Sequence, residues 1–188
     1  MPSIVIFASG AGSNAQAIID HFKQNGKAHV SLIVSNKAEA GVLEIANREH
    51  IPFLIIDRNT FGQAMMLEQL TNLKPDLIVL AGFLWKIPVS LIHAFPGRII
   101  NIHPALLPKY GGKGMYGHHV HDAVVKSMDK QSGITIHHVD EVYDNGAIIT
   151  QAYCNILSSD TAADLAARIH LLEHFYYPRT IEFLLEHL

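Results

Sequence analysis

A single cysteine, Cys154, among 188 residues leaves no partner for an internal disulfide. That scarcity favours a reducing compartment, and the expected location is cytoplasmic. In a strand-like run, Cys154 reads as a small buried hydrophobe rather than as a nucleophile. Charge is also scarce. Charged residues make up 16% of the chain, the formal net charge is −3, and no basic tract occurs. A nucleic-acid groove or a membrane surface is therefore not expected as the main partner. Small anionic ligands stay open, because backbone amides bind them without many Lys or Arg. The longest apolar run, Leu77 to Trp85, is bounded by Asp76 and Lys86 and is too short to span a bilayer. No basic leader with an apolar region and cleavage site opens the chain. Internal repeats, low-complexity tracts and linkers are missing too. What is abundant is apolar: 49% of the residues are hydrophobic, enough in a chain of this length for one domain with a substantial core.

Apolar runs and helical stretches alternate through the first hundred residues. Ile4–Ala8, Val30–Val34, Phe53–Ile56, Leu77–Leu80 and Ile99–Asn101 read as strands. Helices are expected over Ala15–Phe22, Ala40–Glu49 and Phe61–Leu73. Such alternation indicates a parallel sheet with helices on both faces. The second half differs. After the flexible Gly111-Gly112-Lys113-Gly114 comes a helix from about His118 to Met128. Gly133–Val139 and Ala147–Tyr153 read as two strands, which an antiparallel pairing would make a mixed part of the sheet. Thr161-Ala162-Ala163-Asp164 resembles a capping box opening a last helix. Leu165, Ile169, Leu172 and Tyr176 are expected on its apolar face, and Pro178 is expected to kink or restart it.

Four segments carry candidate chemistry. In Asn101-Ile102-His103-Pro104-Ala105-Leu106-Leu107-Pro108, an amide and an imidazole with one residue between them point to the same side of a strand end. That suits a polar site at the mouth of an open α/β sheet, although an Asn-His turn capping a strand reads the same way. In Ser9-Gly10-Ala11-Gly12-Ser13-Asn14, Gly10, Gly12 and Ala15 have the G-x-G-x-x-G/A spacing after a strand and before a helix. The second strand ends in Ser35-Asn36-Lys37 rather than an acid, which disfavours NAD, and the Lys-Ser/Thr of a P-loop is missing. A phosphate monoester fits, with Ser13 and Asn14 adding side-chain hydrogen bonds. The alternative is a turn whose glycines serve packing alone. Asp144, in Asp144-Asn145-Gly146, is a natural partner for His103, though spacing alone reads equally as a turn. Phe83-Leu84-Trp85-Lys86-Ile87-Pro88 could hold a flat heterocycle or simply pack the core. The 13 histidines raise a metal hypothesis, with His118 and His121 spaced i,i+3, but no His-Glu-x-x-His pattern or cysteine set supports it, so no metal is expected.

Together these segments resemble the phosphoribosylglycinamide formyltransferases, folate-dependent enzymes of purine biosynthesis, over nearly the whole chain from Ile4 to about Leu185. Ser9–Asn14 looks like the family's ribose-phosphate loop, Leu80–Leu84 its folate-pocket strand end, and Asn101–Tyr110 its catalytic segment. Asp144-Asn145-Gly146 looks like its aspartate loop, and Glu173-His174 matches a position near its substrate. The resemblance implies a single Rossmann-like α/β domain over residues 1–188, mostly parallel, with helices on both faces and a mixed carboxyl-terminal part. Residues 1–100 would form a ribonucleotide phosphate-binding half and 101–188 a catalytic and folate-site half. Formyl would pass from 10-formyltetrahydrofolate to the amine of N1-(5-phosphoribosyl)glycinamide. Asn101, His103 and Asp144 would be catalytic. Gly12, Ser13, Asn14 and Glu173 would bind the ribonucleotide. Leu84, Trp85, Lys86 and Ile87, with Asn101 and Asp140, Glu141, Val142, Tyr143 and Asp144, would surround the folate. The family often carries an arginine near the start of the third helix, where this chain has Phe61-Gly62-Gln63-Ala64 with Arg58 nearby. A monomer or homodimer is expected.

Three rivals share part of this pattern. A formyltetrahydrofolate deformylase uses the same triad with water, behind an amino-terminal regulatory domain for which a first strand starting by Ser3 is expected to leave no room. A methionyl-tRNA formyltransferase carries a further carboxyl-terminal domain, not expected in a chain ending at Leu188. A non-catalytic folate- or nucleotide-binding module would not need Asn101, His103 and Asp144 together.

Overall fold

The computed structural model describes residues 1–188. The chain runs β1 (Ser3–Phe7), α1 (Ser13–Asn25), β2 (His29–Ser35), α2 (Gly41–Arg48), β3 (Phe53–Ile55), α3 (Ala64–Leu73), β4 (Leu77–Leu80), α4 (Val89–Ala94), β5 (Ile99–His103), α5 (His118–Lys126), β6 (Gln131–His138), β7 (Ile148–Asn155) and α6 (Ala162–Leu185). All seven strands join one sheet in the order β3-β2-β1-β4-β5-β6-β7. β1 to β5 are parallel, and β6 and β7 are antiparallel to their neighbours. This is the mostly parallel, Rossmann-like α/β sheet with a mixed end that the sequence pattern implies.

Side-chain alternation along each central strand feeds two cores. Ile4 and Ile6 of β1 pack with Ile18 of α1, Val42 of α2, Val124 of α5 and Ile169 of α6. Val5 and Phe7 face the other way, against Met66 and Leu70 of α3 and Leu91 of α4. β1 pairs with β2 on one side and β4 on the other, so the direction of winding reverses between β1 and β4. Open α/β sheets form a crevice at such a switch point, outside the carboxyl ends of the strands.

Three expectations are corrected. The third helix begins at Ala64 rather than Phe61. Asp57 Oδ1 accepts hydrogen bonds from the amides of Asn59 and Thr60, and Gly62 sits at φ +80°, so residues 57–63 form a turn instead. The short helix α4 was not foreseen; it follows Pro88 and lacks a side-chain cap. Finally, α6 passes through Pro178 without restarting, and its buried face is Leu165, Ile169, Glu173, Tyr177, Pro178 and Ile181, whereas Tyr176 is exposed. A helical proline costs about 3 kcal/mol. Fully burying Leu165, Tyr177 and Ile181 offsets that, each apolar side chain contributing about 1.5–3 kcal/mol. The Tyr177 hydroxyl donates to the Leu80 carbonyl at 2.9 Å, fixing the helix under the end of β4. At its start the expected capping box is present: the Asp164 amide donates to Thr161 Oγ1 and the Thr161 amide to Asp164 Oδ2.

Candidate active site

A cleft of about 1060 Å³ opens at the switch point, lined by the loops that leave β1, β4 and β5 and by parts of α5 and α6. Its walls come from both faces of the sheet. Asn14 and Glu173 belong to α1 and α6 on one face, while Phe83 and Trp85 pack against the core of the other.

Asn101 and His103 emerge together from β5, both lining the cleft. His103 Nε2 lies 2.7 Å from the Tyr110 carbonyl, which can only accept, so this nitrogen carries a proton. Its Nδ1 faces Asp144 Oδ2 at 3.6 Å, an ion-pair separation longer than a hydrogen bond. Both ring nitrogens therefore look at acceptors, Nε2 within hydrogen-bond reach and Nδ1 just beyond it. Asp144 Oδ2 also accepts the Gly112 amide at 2.9 Å. The segment Tyr110–Gly112 thus touches both His103 and Asp144.

His137 joins this group and was missed in the sequence. Its Nδ1 donates to the His138 carbonyl at 2.8 Å, so Nε2 is the acceptor for the Asn101 amide at 3.2 Å. The same nitrogen is 3.7 Å from Asp144 Oδ1. Burial lowers the His137 pKa below the usual histidine value, outweighing the His138 hydrogen bond and the Asp144 charge, so the ring is held neutral as an acceptor. The only sequence signal was register: antiparallel β5 and β6 set Asn101 directly opposite His137.

On the α1 side, Gly12, Ser13 and Asn14 line the cleft as expected. α1 starts after Gly12 with no side-chain cap and no acid in its first turn. Its first amides are unspent and its dipole favours an anion. Gly12 also serves packing. At φ +84°, a Cβ there would lie 2.9 Å from the Val42 Cα and 2.8 Å from Ile45. Gly10, by contrast, has open space around it. Asn14 spends one amide N–H within the protein, Nδ2 donating to Glu173 Oε2 at 3.0 Å, while its Oδ1 has no partner. His170 Nδ1 meets the same oxygen at 3.0 Å, and that bond raises the His170 pKa against the effect of burial. Glu173 is only 5% exposed, a carboxylate set into an otherwise apolar helix face. Lys37, standing where a dinucleotide site has its acid, lines the cleft too.

On the opposite side, Leu84, Trp85, Lys86 and Ile87 all line the cleft, with Asp140, Val142, Tyr143 and Asp144. Trp85 packs against Phe61 and Phe83, with ring centroids 5.7 and 6.3 Å away, and the Arg58 guanidinium stacks over it at 4.1 Å. Asp140 is occupied in its own turn, accepting from the Val142 amide and the Asn145 side chain. Glu141 stands apart from its neighbours. It does not line the cleft; its carboxylate is exposed and meets His93 Nε2 at 3.3 Å. No group of three or more His, Cys, Asp or Glu side chains is arranged to hold a metal ion, and no helix is long and apolar enough to cross a membrane.

A sheet with this switch-point cleft and an Asn-His-Asp cluster defines a class, and comparison with known proteins gives it a family. Residues 3–181 match the formyl transferase family model, and the chain belongs to that family. It is 40% identical to the phosphoribosylglycinamide formyltransferase of Bacillus subtilis, covering 98% of this chain and 95% of that protein. It is 41% identical to the chloroplastic phosphoribosylglycinamide formyltransferase of Vigna unguiculata over 97% of this chain, but spans only 61% of that plant protein's length. The crystal structure of glycinamide ribonucleotide transformylase 1 from Symbiobacterium toebii superposes with a TM-score of 0.88 at 34% identity, covering 99% of this chain and 88% of that one.

Proposed function

We propose that this chain transfers the formyl group of 10-formyltetrahydrofolate to the amine of N1-(5-phosphoribosyl)glycinamide, a step of de novo purine biosynthesis. The observation that carries the reading is the convergence of Asn101, His103 and Asp144 in the switch-point cleft, with uncapped α1 amides on one side and the Trp85 wall on the other. The ribonucleotide phosphate lies against Gly12 and Ser13, with Glu173 toward its polar part. The folate lies along Leu84–Ile87 and the turn Asp140–Asp144.

In the reaction, the substrate amine attacks the formyl carbon, a carbon–nitrogen bond forms, and the formyl oxygen becomes negative. Donors aimed at that oxygen lower the barrier because they act where charge develops. Asn101 has one amide N–H directed at His137 and a second left for the oxygen. His103 supplies a charge-assisted donor once the formyl oxygen replaces the Tyr110 carbonyl. Asp144 holds the imidazolium charge and, through water, carries the proton from the attacking nitrogen to the leaving N10 of the folate. The carbon–N10 bond then breaks. Oxidation states do not change, so no redox partner enters. Every residue invoked lies in one chain, so a monomer suffices. The single, half-buried Cys154 suits the cytoplasm.

Single-turnover transfer with and without glycinamide ribonucleotide tests the reading. Formylated ribonucleotide formed only in its presence is the expected result. Release of formate at the same rate in its absence points to the hydrolase, and no reaction with tight folate binding points to a binding module.

A further inference from the structure

Ser9 is the first polar residue after β1, is 3% exposed, and leads directly into the phosphate-side loop. Its bonds run elsewhere. The hydroxyl donates to Asn36 Oδ1 at 2.6 Å, beyond the end of β2. With that proton spent, its oxygen accepts the Leu84 amide at 2.9 Å. The Ser9 amide donates to the Gly82 carbonyl at 3.1 Å. Ser9 therefore grips the turn after β4 twice, at Gly82 and at Leu84. That turn leaves the strand at Gly82, whose φ is +75°, and continues straight into Trp85. The rings of Phe7 and Phe83 meet edge to face at 5.3 Å beside it. Three strand ends are thus tied together through one hydroxyl.

We propose that Ser9 is a positioning residue for the folate-side loop Leu84–Ile87, although its place in the chain belongs to the phosphate-side loop. Asn36 aims the Ser9 proton away, which turns the oxygen lone pair to Leu84; without the Ser9 oxygen the Leu84 amide loses its protein partner and the loop loses one fixed point. This inference rests on the formyl-transfer reading for its substrates but not for its physical test, because Trp85 is the only tryptophan and sits in the loop concerned.

The experiment compares wild type with Ser9→Ala and Asn36→Ala. Ser9→Ala is expected to raise KM for 10-formyltetrahydrofolate about 3- to 10-fold, the effect of one lost hydrogen bond, and to leave kcat and the ribonucleotide KM within about twofold. In the ligand-free protein, Trp85 emission should move to longer wavelength and become easier to quench. Asn36→Ala should change both in the same direction and by less. A ribonucleotide KM that rises as much as the folate KM overturns the assignment. So does a folate KM changed less than about twofold with unaltered Trp85 emission. Should wild type transfer no formyl group, the function proposed above fails, while Trp85 emission still decides the role of Ser9.

Discussion

Between α1 and α6, Asn14, Glu173 and His170 already hold one another at 3.0 Å. Around β5, His103 and Asp144 stand 3.6 Å apart, and His137 and Asp144 3.7 Å. The first group is already hydrogen-bonded without ligand, with only Asn14 Oδ1 left unpartnered, which suits a surface that recognises a ground state. The second is polar, nearly buried and unfinished, with both separations longer than a hydrogen bond. The difference teaches where energy is to be found: loss from the hydrogen-bonded group should weaken binding, and loss from the unfinished group should slow the chemistry.

The largest expected effect is therefore on kcat. Asn101→Ala, His103→Ala and Asp144→Asn should each lower it about 100- to 1,000-fold, equivalent to about 2.7–4 kcal/mol, with KM values changed far less. Steady-state kinetics for both substrates checks this. Pairs of these changes should cost less than their product, since the groups act through one another. Losses that multiply in full for the His103 and Asp144 pair would sink the coupling of those two residues.

Next in size is Glu173→Ala. It leaves Asn14 and His170 without their acceptor, and charged hydrogen bonds are worth about 1.5–3 kcal/mol. The ribonucleotide KM should rise about 10- to 100-fold with kcat nearly kept. A fall in kcat as deep as that of His103→Ala would erase the distinction between the two groups.

Gly12→Val sharpens the comparison from the packing side. The added side chain meets the α2 backbone, so thermal unfolding should report a loss of about 1–3 kcal/mol. Any change in substrate affinity is then confounded. Gly10→Ala is the cleaner probe, since it meets nothing: stability should hold within about 0.5 kcal/mol while the ribonucleotide KM rises. An unchanged KM would remove phosphate from that loop.

Trp85→Ala should weaken folate binding about 3- to 10-fold, the scale of a lost aromatic contact, and leave the ribonucleotide untouched. Titration calorimetry with a folate analogue measures it, and wild-type Trp85 fluorescence should change on the same titration. The smallest effect concerns pH and stability. His137 and His121 have folded-state pKa values lowered by burial. The unfolded chain then binds more protons below about pH 6.5, so stability present above that pH is lost as pH falls toward their folded values. His137→Gln should flatten that acid slope in chemical denaturation.

The parallel strands were legible because a strand buried on both faces must be written as a continuous apolar run, as in Ile4–Ala8 and Leu77–Leu80. Asn101 and His103 were legible because two residues apart on a strand means one side. His137 was not, since it depends on a register formed across 36 residues. The face of α6 was misjudged by one position because Glu173, a charged residue, occupies the seam that periodicity assigns to apolar ones. Glu141 was carried along by its neighbours, in a turn where it alone points away from the cleft, toward His93. Asn14 lies in the right loop, but no spacing in the chain could show that its amide is turned toward α6.

The bond from the Gly112 amide to Asp144 gives the protein a spectroscopic handle on its own chemistry. The resonance of an amide proton that donates to a carboxylate moves as that carboxylate gains or loses charge. In a nitrogen-15 correlation spectrum, glycine amides lie in a region of their own, so the Gly112 signal can be followed as either substrate is added. Its movement reports on the Asp144 carboxylate itself, without turnover or mutation.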